Sequence, residues 1–185
     1  MPSAAAVTLR SIETTDAVRI QRYASDARLA ETCGIPHPYP PDGGESFVQS
    51  CLADRDAGTH YPLAVLLDGE LVGIMNLNRI DRDRGTAELD YWIAVPFWGR
   101  GIATAAARLA MTLAFAGLRL QVVESVCLEE NPAPGRVLKK AGFTEVGSGI
   151  DAGRYGSRFA KRSLRRFRLQ RENWIAQGAA GTGNS

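Results

Sequence analysis

Hydrophobic and polar positions divide the chain into apolar strand-like runs and helix-like segments. Short apolar runs rich in β-branched and aromatic residues indicate strands, and these run over Val7–Arg10, Tyr61–Leu67, Glu70–Leu77, Thr86–Val95, Gln121–Leu128, Phe143–Val146 and Leu164–Arg171. Segments framed by capping residues, glycine or proline indicate helices, and these run from Asp16 through Tyr23, from Gly44 to Ala53, from Gly101 to Ala116 and from Pro132 to Ala141. The order strand, helix, strand over residues 86–128 implies a parallel strand pair.

Glycine and proline mark the predicted connections. Asp68–Gly69 separates two apolar runs and is the strongest hairpin signal in the chain. Four prolines within residues 34–44 remove backbone donors and restrict φ, so this stretch is predicted to be a semi-rigid loop. Residues 177–185 are small, polar and glycine-rich, and we expect them to form a disordered tail.

The segment from Tyr91 to Thr104 carries the clearest chemical signal. Its apolar run ends at Pro96, and Gly99 and Gly101 then lead into an alanine-rich helix. The first amides of a helix lack intrahelical partners, and the aligned peptide dipoles leave partial positive charge there, so a pyrophosphate can bind. The sequence therefore predicts a phosphate cradle, although a Gly-x-Gly pair by itself also forms ordinary tight turns.

Two sequence motifs resemble those of a known protein family, and the distance between them is the one usual in that family. The segment Trp98–Ala103 is similar to motif A of the GNAT acetyltransferases, Gln/Arg-x-x-Gly-x-Gly/Ala, with Trp98 at the Gln/Arg position. An aromatic there is typical of the branch that includes the ribosomal-protein N-terminal acetyltransferases. The segment from Asn131 to Phe143 resembles the family's second motif, Asn-x-x-Ser-x-x-x-Leu-Glu-Lys-x-Gly-Phe.

The resemblance implies a fold, and the length of 185 residues suits one domain. We expect a mixed α/β domain over residues 1–176 with a twisted sheet of six or seven strands. About four helices would flank the sheet, and its central strands would be splayed.

The resemblance also implies acetyl-CoA as the cosubstrate and assigns residues to it. The cradle amides would be those of Arg100, Gly101, Ile102, Ala103 and Thr104, and the strand end that pairs with pantetheine would be Ile93, Ala94 and Val95, with the Val95 amide near the thioester oxygen. Asn131 would lie beside the pantetheine, with a helix cap as its alternative role. Arg136 would reach the adenosine 3′-phosphate, with a solvated surface arginine as its alternative.

Acetyl transfer to an amine also needs a proton acceptor. Strand alternation places Glu88 and Asp90 on one face, directed toward the expected thioester. We take Glu88 as the general base and Asp90 as its competitor; an exposed face with paired charges is the alternative. His37 and Tyr39 lie in the proline loop, which resembles the family's lid over the acceptor, so with Glu88 they are candidate substrate contacts.

The proton donor for the leaving thiolate is the weak part of the resemblance. Pro134 stands at the serine position of the branch, and Lys139 stands where other members have a tyrosine. Water, Tyr39, Tyr91 or Tyr155 would have to supply the proton instead.

Two functions therefore stay open, an N-acetyltransferase acting on a protein N-terminus or small-molecule amine, and a catalytically silent acyl-CoA sensor. A Rossmann-type nucleotide binder is disfavoured, because the full Gly-x-Gly-x-x-Gly is missing.

Composition adds few constraints on partners and location. A net charge of +2, from 22 basic and 20 acidic residues, demands neither nucleic acid nor a membrane surface. Basic residues concentrate in residues 154–171, which favours a solvated charged hairpin over contact with nucleic acid or the ribosome.

The three cysteines are widely spaced, so we expect no metal site. Without a secretion-signal pattern we expect a cytoplasmic protein, and an exposed sheet edge makes a homodimer plausible.

Overall fold

Seven strands form one mixed sheet in the computed structural model, which describes residues 6–153 and 157–181. The strands are β1 Val7–Ser11, β2 Tyr61–Leu67, β3 Glu70–Asp81, β4 Thr86–Ile93, β5 Val122–Leu128, β6 Thr144–Ile150 and β7 Ser163–Gln170. Their order across the sheet is β1-β2-β3-β4-β5-β7-β6. All neighbours are antiparallel except β4 and β5, which are parallel as the strand, helix, strand order predicted.

The described part of the chain contains six α-helices on the two faces and edges of this sheet. They are α1 Ala17–Ala24, α2 Ala27–Ala30, α3 Gly43–Asp56, α4 Ile102–Thr112, α5 Pro132–Lys140 and α6 Arg171–Gly181. The prediction of a mixed α/β domain with six or seven strands is confirmed. The two helices beyond the predicted four are α2, which is a single turn, and α6, which follows the last strand.

Helix α6 reaches into the segment that the sequence predicts to be a disordered tail. Residues 177–181 belong to this helix, whereas residues 182–185 lie outside the described residues. The ring of Trp174 packs on Phe115 with 5.5 Å between centroids, and Gln177 Nε2 donates to the Gly142 carbonyl at 3.1 Å. The ring contact of Trp174 and the hydrogen bond of Gln177 therefore hold α6 against the domain, although the composition of this segment alone does not favour an ordered helix.

The central strands β4 and β5 separate soon after they pair. Their register covers only Thr86 to Glu88 on β4, opposite Val122 to Glu124 on β5. At the point of separation the buried Ser125 hydroxyl donates to the Leu89 carbonyl at 2.8 Å, taking the place of a ladder hydrogen bond. The rest of β4 diverges from β5, as the expected splaying requires.

Both faces of the sheet centre are buried, which explains why β2 and β3 read as nearly continuous apolar runs. The larger core lies under α4 and α5 and includes Phe115, Leu89 and Met75. The smaller core lies under α1 and α3 and includes Ile20 and Ile74. Helices packed on both faces of the sheet thus fix the position of β4 up to the residue where its pairing with β5 ends.

Helices α1 and α3 are in close contact at Gly44. Its amide donates to Gln21 Oε1 at 2.7 Å, and a Cβ at this position would lie only 2.3 Å from the carbonyl oxygen of Ala17. Because the obstacle is backbone, we expect Gly44→Ala to lower the free energy of unfolding by about 1–3 kcal/mol. Urea unfolding measures the change.

The matched control for this substitution is Gly178→Ala. Gly178 is also helical, but an added Cβ there would have no heavy atom within 4 Å. We expect Gly178→Ala to leave the free energy of unfolding unchanged or to raise it slightly, because alanine is a better helix former than glycine. Equal unfolding midpoints for Gly44→Ala and the parent protein would contradict the close approach of α1 and α3.

Candidate active site

The loop that precedes α4 presents the first amides of that helix. Gly99 and Gly101 have φ values of 73° and 77°, a region that glycine adopts without strain. Gly101 is the N-cap of α4, and no side chain from residues 6–153 or 157–181 caps the helix with a hydrogen bond. These amides can therefore donate to a bound anion, as the sequence predicts for a phosphate cradle.

A cavity of about 390 Å³ opens in front of these amides, and we call it the cradle cavity. Its walls are the end of β4, the loop before α4 and the first turns of α4 and α5. Three basic side chains line it, Arg100, Arg136 and Lys140, and no acidic residue of the described chain does. This charge, added to the helix N-terminus, suits a polyphosphate.

Most of the residues predicted to bind the cofactor line this cavity. They are Ile93, Arg100, Gly101, Ile102, Ala103, Thr104, Asn131 and Arg136. Ala94 and Val95 lie outside it. The Ala94 amide donates to the Val72 carbonyl at 2.8 Å, so the backbone of Ala94 faces β3. Because backbone groups alternate direction along a strand, those of Tyr91 and Ile93 face the opening beside β5.

Trp98, at the position where the motif has Gln or Arg, closes the turn after β4. Its indole Nε1 donates to the Ile93 carbonyl at 2.6 Å. The side chain is 42% exposed and forms part of the cavity wall. The indole therefore fixes the strand end from inside the cradle cavity, a role that the motif comparison did not predict.

A second cavity, of about 480 Å³, opens between the diverging strands and the segment of residues 32–47, and we call it the acceptor cavity. Sheet residues Leu89 to Trp92 and Ser125 to Leu128 form its floor. The proline loop forms its outer wall, and Arg158 donates to the Ile35 carbonyl in that loop. The loop predicted over residues 34–44 thus lies beside the acceptor cavity, although its last two residues, Gly43 and Gly44, already belong to α3.

The structure separates the two acidic candidates on β4. Asp90 lines the acceptor cavity and accepts a hydrogen bond from Asn78 Nδ2 at 2.6 Å. Glu88 does not line it; it lies where β4 is still paired with β5, and its carboxylate contacts Arg79 at 3.4 Å. Strand alternation placed both on one face correctly, but only Asp90 lies past the point where the strands diverge.

The proline loop contributes one of its two candidate side chains to the acceptor cavity. Tyr39 lines the cavity and its ring lies close above Gly43, whereas His37 does not line it. Burial raises the pKa of the Tyr39 phenol above its ordinary value. Tyr39 is therefore neutral at physiological pH and forms part of the cavity wall.

Helix α5 starts beside both cavities. Asn131 caps it, accepting from the Ala133 amide at 3.3 Å, and also lines the cradle cavity, so the capping role and a place in the cavity wall coexist. Pro134 lines both cavities and offers no side-chain proton. Lys139 lines neither and pairs with Glu145 at 3.0 Å. The side chains at these two α5 positions thus provide no tyrosine or serine hydroxyl to the site.

Acidic residues pair with three arginines of the basic hairpin of β6 and β7. The hydrogen bonds from Arg165 and then Lys139 lower the pKa of Glu145 to about 2. Two further pairs are Arg168 with Glu124 and Arg162 with Glu130. Arg154 and Tyr155 lie outside the described residues. The pairing agrees with a solvated charged surface, the interpretation that the sequence favoured.

Comparison with known proteins identifies the family. The family model described as "Acetyltransferase (GNAT) domain" matches residues 6–144. The chain belongs to the GNAT acetyltransferase family. The resemblance carried by the two motifs is thereby confirmed, and we class this GNAT protein as an acyltransferase with its relatives.

Three relatives illustrate the family. The "Putative ribosomal N-acetyltransferase YdaF" of Bacillus subtilis strain 168 is 39% identical over 157 residues, 78% of this chain and 81% of that protein. Spermidine N(1)-acetyltransferase of Escherichia coli K12 is 31% identical over 150 residues, 80% of this chain and 77% of that protein. The structure of RimL, a ribosomal L7/L12 alpha-N-protein acetyltransferase in complex with coenzyme A, has a TM-score of 0.80 and 18% identity. It covers 91% of this chain and 96% of that one, and it supports the GNAT fold.

Several residues of this GNAT site escaped sequence reasoning. Ser125 and Asn76 were overlooked because each is a neutral polar residue inside a mainly apolar strand, a signal that is visible in retrospect. Lys140 sits in the second motif, but its place in the cradle cavity depends on how α5 packs beside α4. Among the described residues no cluster of His, Cys, Asp and Glu suits a metal, and no described helix has the length and apolar character of a membrane span.

Proposed function

We propose that this GNAT protein transfers an acetyl group from acetyl-CoA to a primary amine by direct attack of the amine on the thioester. The observation that carries the proposal is the meeting of the two cavities at the divergence of β4 and β5. Five residues line both: Thr32, Cys33, Tyr91, Trp92 and Pro134. A thioester held in one cavity and an amine held in the other would meet there, which supplies the proximity that acyl transfer needs.

The donor side is supported by the cradle cavity. The pyrophosphate would accept from the first amides of α4, and Arg100, Arg136 and Lys140 would neutralise the phosphates of CoA. The pantetheine arm would run along the open side of β4, where the backbone of Tyr91 and Ile93 lacks β5 as a neighbour. Asn131, at the start of α5, would contact the arm from the other wall.

The acceptor side is supported by two oxygen acceptors in a largely apolar cavity. Asp90 and Asn76 are cross-strand neighbours, and both line the acceptor cavity. Asn76 Oδ1 is buried and has no hydrogen-bond partner among the described residues. An amine supplies the donors that these oxygens need. We assign Asp90 as the group that takes the proton from the attacking amine, because it lies closer to the junction than Glu88.

The proposal covers two classes of acceptor, a protein N-terminus and a small-molecule amine. Relatives named for a ribosomal N-acetyltransferase and for a spermidine acetyltransferase support both classes. Both classes present a primary amine that must lose a proton before or during the attack. The shared chemistry, rather than one named acceptor, is what the geometry supports.

Two measurements on the same preparation of the protein test the proposal. Acetyl-CoA binding is measured by calorimetry, and CoA release is then followed against spermidine, L-amino acids and peptides with free N-termini, with N-blocked peptides as matched controls. We expect binding and amine-dependent release of the thiol. Binding without release on every amine would favour the acyl-CoA sensor, and absence of binding would refute the cradle assignment.

A further inference from the structure

Among residues 6–153 and 157–181, one phenol lines the junction of the two cavities, and it comes from β4. The hydroxyl of Tyr91 donates to the carbonyl of Pro134 at 3.3 Å, so it spans the opening between β4 and the first turn of α5. Tyr91 also lines both the cradle cavity and the acceptor cavity. Its hydroxyl therefore lies where the bond between the acyl carbon and the sulfur of CoA would break.

We infer that Tyr91 is the catalytic acid that protonates the departing thiolate of CoA, an inference that rests on the proposed function. The family's second motif places Pro134 and Lys139 at the positions that would otherwise supply a hydroxyl. Pro134 has no proton to give, and Lys139 is held outside both cavities by Glu145. Tyr91 brings a hydroxyl to the same turn of α5 from the opposite wall.

The other protic side chains at the junction are less suited to this role. The Thr32 hydroxyl donates to the Leu29 carbonyl at 2.8 Å, and an aliphatic alcohol is a much weaker acid than a phenol. The Cys33 thiol donates to the same carbonyl at 3.3 Å, and burial raises its pKa. Both groups are directed to α2, whereas Tyr91 is directed across the opening.

The hydrogen bond of Tyr91 is easily exchanged. At 3.3 Å it is longer than the usual length of about 2.7–2.8 Å for a hydroxyl donor. A thiolate is a charged acceptor and forms a stronger bond than a neutral carbonyl. Rotation of the hydroxyl from the Pro134 carbonyl to the sulfur is therefore favoured once negative charge develops there.

The step balances without any further reactant. The nitrogen lone pair of the amine forms the bond to the acyl carbon, and the bond from that carbon to sulfur breaks with its electron pair on sulfur. The Tyr91 hydroxyl gives its proton to sulfur, which produces free CoA thiol. The nitrogen loses one proton, and Asp90 accepts it. Solvent then carries this proton across the acceptor cavity to the phenolate of Tyr91, which becomes a neutral phenol again.

Tyr91→Phe tests the assignment by removing one oxygen. We expect kcat to fall by about a hundredfold or more, with the Kd for acetyl-CoA changed less than threefold. The loss should appear in kcat and not in the acetyl-CoA affinity, because the hydroxyl acts only when the bond to sulfur breaks. Tyr61→Phe is the matched control, because it removes the same oxygen from a tyrosine on β2 that lines neither cavity.

The outcomes separate this inference from the proposed function. If the parent enzyme releases no CoA on any amine, the proposed function fails and the inference fails with it. If the parent is active and Tyr91→Phe keeps kcat within threefold, the inference alone is overturned, and loss of activity in Cys33→Ala would then identify the thiol as the acid. A parallel loss of acetyl-CoA affinity in Tyr91→Phe would also overturn it, since Tyr91 would then only position α5.

Discussion

Gly101→Asp is expected to weaken acetyl-CoA binding by at least a hundredfold. The substitution places a carboxylate at the N-cap of α4, beside the amides that would hold the pyrophosphate. Like charges about 4 Å apart repel by several kcal/mol near a protein surface, and a hundredfold loss requires only about 2.7 kcal/mol. An added Cβ has no heavy atom within 4 Å, so the substitution costs stability only through its positive φ, and the fold should survive. Calorimetric titration with acetyl-CoA measures the loss.

Gly101→Asn is the matched control for this charge effect. Asparagine has nearly the same shape as aspartate, and both tolerate the φ of 77° better than most residues do. We expect the asparagine variant to retain much more affinity than the aspartate variant, at similar unfolding midpoints. Equal affinity in the two variants would mean that no phosphate lies at this helix end.

Asp90→Asn is expected to lower kcat by about a hundredfold to ten-thousandfold, the range usual for loss of a general base. The amide keeps the size of the side chain but cannot accept the proton from the amine. The KM for acetyl-CoA should change little, because Asp90 lines the acceptor cavity and not the cradle cavity. Steady-state kinetics with a saturating amine separates the two parameters.

Glu88→Gln provides the comparison on the same strand face. Its carboxylate contacts Arg79 and lies outside the acceptor cavity, so we expect kcat to change less than fivefold. The sequence prediction named Glu88 as the base, and the two variants decide between the candidates. A large loss in Glu88→Gln with full activity in Asp90→Asn would restore the sequence prediction and require a water relay to the amine.

The cradle could be predicted from sequence because its chemistry is local. Gly99 and Gly101 set the backbone of the loop, and the alanine-rich segment that follows forms a helix whichever way it packs. The pairing of β2 with β3 was accessible for a similar reason, since the short Asp68–Gly69 turn forces antiparallel neighbours. These features depend on residues within a few positions of one another.

The positions of Glu88 and Asp90 relative to the divergence of the strands were not accessible from sequence, because they depend on contacts far apart in the chain. Glu88 and Asp90 share a strand face, and only the register with β5 shows that the strands diverge between them. Ser125, which bonds to Leu89 at that point, is 36 residues away along the chain. Helix α6 was missed for the same reason, since Trp174 finds its partner Phe115 only after folding.

The divergence of β4 and β5 has an evolutionary consequence. On the donor side, recognition would rest on main-chain amides and carbonyls, which substitutions leave in place as long as the strand and helix persist. On the acceptor side, recognition would rest on side chains such as Asp90, Asn76 and Tyr39, each of which a single codon change can replace. A lineage with this architecture can therefore exchange one amine for another without rebuilding its donor site. Relatives named for ribosomal protein and for spermidine are the kind of divergence that such a division of labour permits.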